Sequence, residues 1–380
     1  MKTNQLILAA ALVALAACTK DNVVSNNETL DNEIGFTAVT KKATKANNAI
    51  IEGTTYSTDN TFQVWGWQSP LGDFSEFTEG AASNFMTNLT ISWTKGSDNT
   101  RAEAWRNSEH YYYWPFTGKI GFLAIHPSTV APTSTGWDAT NDLAKATVND
   151  YTISASNKTT DLMFAEANGS RNASDLDAQG KLGLVFKHAL SQIVVKAKTD
   201  ADYSADVQFD LESVQFNNID LSGDLAYANH DFTWTDNTAH TENWMYYNTA
   251  KTDIKNTYSD ADDYIYGSAI LMVPQPAYKH VDADPSNSIA EVEGTTLTIG
   301  YSMQQKPLAN NAKITGTVTI PAPWLKVKEG DTVHDSAVGF DGWEAGKKYV
   351  YTLNFKLNEI LFNPSVTDWI EVDVQTINIP

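Results

Sequence analysis

The chain has 380 residues, 42% apolar and 19% charged, which excludes general disorder and leaves room for two cores of about 150 to 200 residues each. Its 26 basic and 46 acidic residues give a net charge of −20, which excludes nucleic acid as a partner because phosphate binding needs Lys and Arg in excess. With Cys18 as its one cysteine, no intrachain disulfide and no cysteine-based zinc site can form, so packing of aromatic and aliphatic side chains has to hold the fold.

Lys2 and the apolar run from Leu6 to Ala17 read as a secretory signal, too short to span a bilayer. The run ends in Leu15, Ala16, Ala17 and Cys18, which resembles a bacterial lipobox and implies cleavage before Cys18 and lipidation of its thiol. Residues 1–17 are therefore the expected signal peptide. Residues 18–33, polar and rich in Asn, are the expected tether to the outer membrane.

From residue 34 the pattern is all-β: short β-branched and aromatic segments alternate with polar residues and are punctuated by Gly, Pro, Asn and Asp. Ile120 to Ile125 is apolar on both faces and predicts a central strand. A short helix is expected over 139–146. The polar stretch from Glu166 to Gly180 predicts a boundary near residue 177, giving domains at 34–176 and 177–380. Beyond it, alternation at Ile193, Val195 and Ala197, at Val207, Phe209 and Leu211, at Leu297, Ile299 and Tyr301, and at Tyr349, Tyr351, Leu353 and Phe355 predicts sandwich strands, with Gly316 as a turn.

No catalytic constellation stands out, and no cofactor is implied: the Ser elbow, the phosphate-cradling glycine loop and the paired histidines of a zinc helix are missing. His230 and His240, ten residues apart among acids, read as incidental to a solvated loop rather than as metal ligands. Asp260, Asp262 and Asp263 imitate the opening of a calcium loop but lack its remaining ligands. Trp65, Trp67, Trp93, Trp105, Trp114 and Trp137 would suit sugar stacking, yet read first as core.

The carboxyl end is the informative region. Ile370, Val372 and Val374 alternate with Glu371, Asp373 and Gln375, and the alternation then shifts by one residue to Ile377 and Ile379. Such an apolar tail wants a groove, on its own sheet or on a neighbour.

Phe62 to Trp67, Tyr112 to Pro115, Asp161 to Ala165, Phe186 to Ile193, Ile270 to Gln275, Trp343 to Tyr351 and Phe362 to Trp369, in that order behind a lipobox, resemble the fimbrillin-like proteins of Bacteroidales. The resemblance implies a type V pilus subunit built of two tandem transthyretin-like Greek-key β-sandwich domains. In that family an outer-membrane protease removes the first strand, and the carboxyl-terminal strands of another pilin subunit fill the groove. The removable strand here is Ile34 to Val39. Lys41, Lys42 or Lys45 stands where the family often has arginine, and the first arginine downstream is the distant Arg101. The alternative is that these lysines form a solvated loop and the chain stays an uncut surface lipoprotein, an anchor or an adhesin for a host protein or glycan. Five aliphatic donor anchors would contribute on the order of 10 kcal/mol before ordering costs. Asp331-Thr332-Val333 and Asp335-Ser336-Ala337 match a short Bacteroidetes O-glycosylation pattern, which makes Thr332 and Ser336 candidate acceptors.

Overall fold

The structure, a computed structural model, describes residues 32–40, 56–69, 85–94, 103–138, 141–177, 180–236, 242–247, 249–260, 265–276, 295–321, 328–329, 332–333, 342–357 and 360–368. Their architecture is all-β. The first nine strands are β1 (Phe36–Thr40), β2 (Thr61–Ser69), β3 (Met86–Thr94), β4 (Ala104–Arg106), β5 (Lys119–His126), β6 (Ser134–Asp138), β7 (Leu143–Thr152), β8 (Met163–Gly169) and β9 (Leu182–His188). Seven of them close a barrel in the order β1-β4-β3-β2-β5-β8-β9. β5 lies between β2 and β8 and is buried along nearly its whole length, as its two-sided apolar sequence requires.

The later strands are β10 (Ser191–Thr199), β11 (Val207–Ile219), β12 (Ser222–Ala228), β13 (Asp231–Asp236), β14 (Glu242–Tyr247), β15 (Ile270–Met272), β16 (Gln275–Pro276), β17 (Thr296–Gln305), β18 (Lys313–Pro321), β19 (Lys328–Glu329), β20 (Thr332–Val333), β21 (Gly342–Trp343), β22 (Lys347–Phe355) and β23 (Ile360–Asp368). Two four-stranded sheets, β15-β10-β22-β23 and β14-β11-β17-β18, share one large core that holds Ile193, Phe209, Phe216, Leu297, Tyr351 and Phe355. A third, β13-β12-β7-β6, takes strands from both sides of residue 177.

Two sequence expectations are corrected. Residues 143–146 begin β7 instead of ending a helix. Asp142 takes a positive φ of 58° in the β6–β7 turn, and Ala144, Ala146 and Val148 then bury alternate positions, a period of two that no helix satisfies. Gly316 lies inside β18, where the Tyr301 ring covers it. A Cβ there would stand 2.5 Å from Tyr301 Cζ, so the glycine makes room for an aromatic ring and turns nothing. The polar stretch around residue 177 joins β8 to β9, two neighbours in the barrel, and the chain passes from one core to the other at Ala189 and Leu190.

Strand alternation divides the barrel wall between two environments. On β2, Phe62 and Val64 fill the barrel while Trp65 and Trp67 face the large core. On β5, Phe122 and Ala124 point in while Leu123 and Ile125 point out. Five of the six tryptophans singled out in the first half are thus buried, and Trp93 packs against the barrel core half-buried, which answers the sugar-stacking alternative for the indoles. Trp137 of β6 lies flat on β5 at Gly121, where a Cβ would come within 2.4 Å of the indole. Gly121→Val should therefore lower stability by about 1 to 3 kcal/mol through forced repacking, read as a fall in the urea midpoint. Gly136→Ala, where a Cβ meets open space, should leave the midpoint nearly unchanged.

Candidate assembly interface

The sequence Glu33 to Thr40 enters the barrel by a short antiparallel contact. The Ile34 N–H donates to the Tyr112 carbonyl (2.7 Å), and the Trp114 N–H donates to the Asn32 carbonyl (2.8 Å). The Leu182 N–H then donates to the Gly35 carbonyl (3.0 Å), and β1 runs parallel to β9 from Phe36↔Leu182 to Thr40↔Phe186. On its other side β1 meets β4 at Phe36↔Trp105 alone. Among the described residues, one five-residue ladder carries nearly all the closure of the barrel.

Side chains supply the rest. Ile34 and Phe36 point inward and are buried. The Phe36 ring makes edge contacts with Phe122 (5.2 Å) and Phe62 (6.4 Å). Burial of two such side chains stabilises the closed state by roughly 3 to 6 kcal/mol in all. On the outer face the Glu33 carboxylate stands 3.5 Å from Arg106 Nη1, both side chains 3% exposed. Lys181, itself buried, lies across Gly35, so that a Cβ there would meet its Cδ at 2.9 Å. Farther along, Val39 and Val185 sit side by side, 41% and 47% exposed. β1 is thus a plug with an apolar inner face, two cations at its outer entrance and a bare apolar end.

A polar group is built into the barrel near the end of β1. The Tyr56 ring stacks on Phe186 (5.0 Å), and its hydroxyl lies 2.6 Å from His126 Nδ1, which is 3.0 Å from the Thr61 carbonyl. His188 Nδ1 and the Asp161 carboxylate pair at 2.7 Å nearby. Burial drives His126 below the ordinary imidazole range, against the opposing pull of Asp161 and of the Thr61 carbonyl, and drives the Tyr56 hydroxyl up.

The other sequence-predicted residues divide between described and undescribed positions. Cys18, Lys41, Lys42, Lys45, Ser336, Ile370, Val372, Val374, Ile377 and Ile379 lie outside the described residues, as do His240, Asp262 and Asp263. The three lysines come within five residues of Thr40, where β1 ends, and Ile370 comes two residues after Asp368, where β23 ends. β23 pairs along its length with β22 at the edge of its sheet, so Ile360 to Asp368 belongs to this chain's own fold. Thr332 stands in the short strand β20, opposite Glu329. His230 takes a left-handed turn between β12 and β13 and pairs through Nδ1 with Glu166 of β8, whose carboxyl burial pushes up. Among the described residues no three His, Cys, Asp or Glu side chains gather where a metal ion would need them. Arg106 and Lys181 were not legible as site residues, since nothing in their sequence neighbourhoods tells which strand they flank.

A family model described as fimbrillin-like matches residues 22–369. The chain is 20% identical over 411 residues to the fimbrium subunit Fim1C of Phocaeicola vulgatus, with all of both chains covered. It is also similar to the crystal structure of a fimbrial protein from Bacteroides vulgatus, with a TM-score of 0.53 at 16% identity, covering 89% of this chain and 99% of that one. That likeness is one of fold.

The buried imidazole makes barrel stability depend on pH. The His126 pKa is depressed in the folded state, so its contribution is complete above the unfolded value of about 6.5 and is lost as pH falls below it. Urea midpoints measured between pH 7 and pH 5 should fall, and His126→Gln should flatten that slope. An unchanged slope in the variant would show that His126 does not carry it.

Proposed function

Because the chain belongs to the fimbrillin-like family, we propose that it is a structural pilin, a stalk subunit of a type V pilus that supports cell adhesion. In this reading it is exported as a lipoprotein through Cys18 and held at the outer membrane. A protease then cuts it at Lys41, Lys42 or Lys45, and it polymerises by giving its tail from Ile370 to Ile379 to the slot that β1 leaves in the next subunit. The observation that carries the reading is the position of β1: it closes a barrel by one short ladder, and the candidate cut sites come directly after it. The tail extends from a strand already at a sheet edge, which supports its being free to leave its own fold. Main-chain pairing with alternating side-chain pockets is the physics of strand addition, and contacts of this head-to-tail kind do not close on themselves but build filaments.

Two transthyretin-like Greek-key units in series belong to the same proposal, supported by the two separate cores that meet near Ala189. So do Thr332 and Ser336 as O-glycosylation sites and a host protein or glycan as the final target. No catalytic step enters this reading.

Amino-terminal sequencing and intact mass of material sheared from the cell surface test it. The expected result is a start between Lys42 and Ala46 in the high-molecular-weight fraction. A start at lipidated Cys18 in monomeric material would overturn it in favour of an uncut surface lipoprotein.

A further inference from the structure

Between β4 and β5 the chain runs through Tyr111, Tyr112, Tyr113, Trp114, Pro115 and Phe116. Alternate members serve the barrel. Trp114 is buried in its core, and Tyr112 packs against that core with its ring 6.0 Å from Phe85. The others reach solvent: Tyr111 is 52% exposed, Tyr113 40% and Phe116 86%, more than any other large apolar side chain among the described residues. An exposed aromatic group of this kind marks a surface that something else covers. We propose that it is a lipid-facing foot, which rests the uncut subunit on the interface of a zwitterionic bilayer beside Cys18. The inference rests on the lipoprotein reading of Cys18 and adds to it a contact surface and an orientation.

The chain's course identifies the occupant. The aromatic run is hydrogen-bonded to the segment that arrives from the expected tether: the Ile34 N–H donates to the Tyr112 carbonyl, the Trp114 N–H donates to the Asn32 carbonyl, and Tyr113 stands opposite Glu33. Asn32 follows Cys18 by fourteen positions. A flexible stretch of that length spans about 20 Å on average, so an acyl chain on Cys18 holds this loop close to the membrane. A tether alone would leave the barrel free to tumble. Tyrosine and phenylalanine add what it lacks, because their apolar bodies settle at headgroup depth while the tyrosine hydroxyls stay wet.

Charge at this end of the barrel selects the kind of lipid. The β8–β9 loop brings the Arg171 guanidinium over the Phe116 ring, 5.4 Å from its centroid. The acids of that loop are turned onto their own backbone. The Asp175 carboxylate accepts from the Ser170 N–H (3.0 Å) and hydroxyl (2.6 Å), and the Asp177 carboxylate accepts from the Lys181 N–H (2.8 Å). Arg171 is thereby left exposed beside the aromatic foot, placed for a lipid phosphate. The net charge of −20 and the exposed Glu109 ahead of the run oppose an anionic surface, which makes a zwitterionic one the better fit.

Orientation follows from β1. The chain leaves the foot at Asn32 and reaches Thr40 after eight further positions, about 25 Å at the rise of a strand. With the foot on the bilayer, the Thr40 end of the barrel, after which the candidate cut sites come in sequence, is held away from the membrane.

Flotation with phosphatidylcholine vesicles at millimolar lipid tests the proposal, using the uncut chain from residue 18 with Cys18→Ala so that no acyl chain contributes. The parent chain should float with the vesicles. Phe116→Ser should lower its partition coefficient at least about tenfold, as loss of one inserted aromatic side chain does, and Phe116→Trp should preserve it. Phe116 is exposed, so neither change burdens folding. Ile314→Ser, at a 62% exposed position on β18, should leave partitioning unchanged. A parent chain that stays unbound would overturn the proposal, as would flotation undiminished by Phe116→Ser or an equal loss from Ile314→Ser. Dimers in sedimentation that Phe116→Ser dissolves, without vesicle binding, would overturn it in favour of a second copy on this surface. The lipoprotein reading stands or falls separately, on the intact mass of cell-derived protein at Cys18.

Discussion

A barrel closed by a short strand is the constraint on which the rest of this molecule depends. β1 contributes a five-residue ladder to β9 and a touch to β4, yet without it two rows of backbone groups and an aromatic interior would lie open. Buried or half-buried backbone N–H and C=O groups demand partners, and an open sheet edge recruits whatever strand is nearest. The fold thus makes β1 necessary to the barrel while holding it by few bonds.

The surroundings make this slot the weak point of an otherwise braced wall. The outer faces of β2, β5 and β8 are covered by Trp137, Tyr227 and the rest of the large core, to which both halves of the chain contribute. On the β1–β9 side, Val39 and Val185 are exposed. In the second half of the chain, β22 takes β23 as its outermost partner at the edge of its sheet.

Much of this was legible in the sequence because strand alternation is local. β10, β11, β17 and β22 all stand where period-two patterns placed strands, and β5 stands where a two-sided apolar run placed one; the fimbrillin-like resemblance rested on core and turn motifs that the chain retains. The misreadings have local causes. Ala-rich residues 143–146 look helical until the buried face of β7 is seen, and Gly316 looks like a turn until Tyr301 is found on top of it. Arg106 and Lys181 were invisible because their meaning comes from pairings across more than 70 residues of chain.

Amide hydrogen exchange along β9 tests the central claim most directly. The account predicts that the Leu182 to Phe186 amides facing β1 are protected in the uncut subunit and again in the polymer, and that they lose protection in a cut subunit lacking residues 369–380. Protection that persists in that truncated, cut subunit would contradict it, because the barrel would then close without either strand.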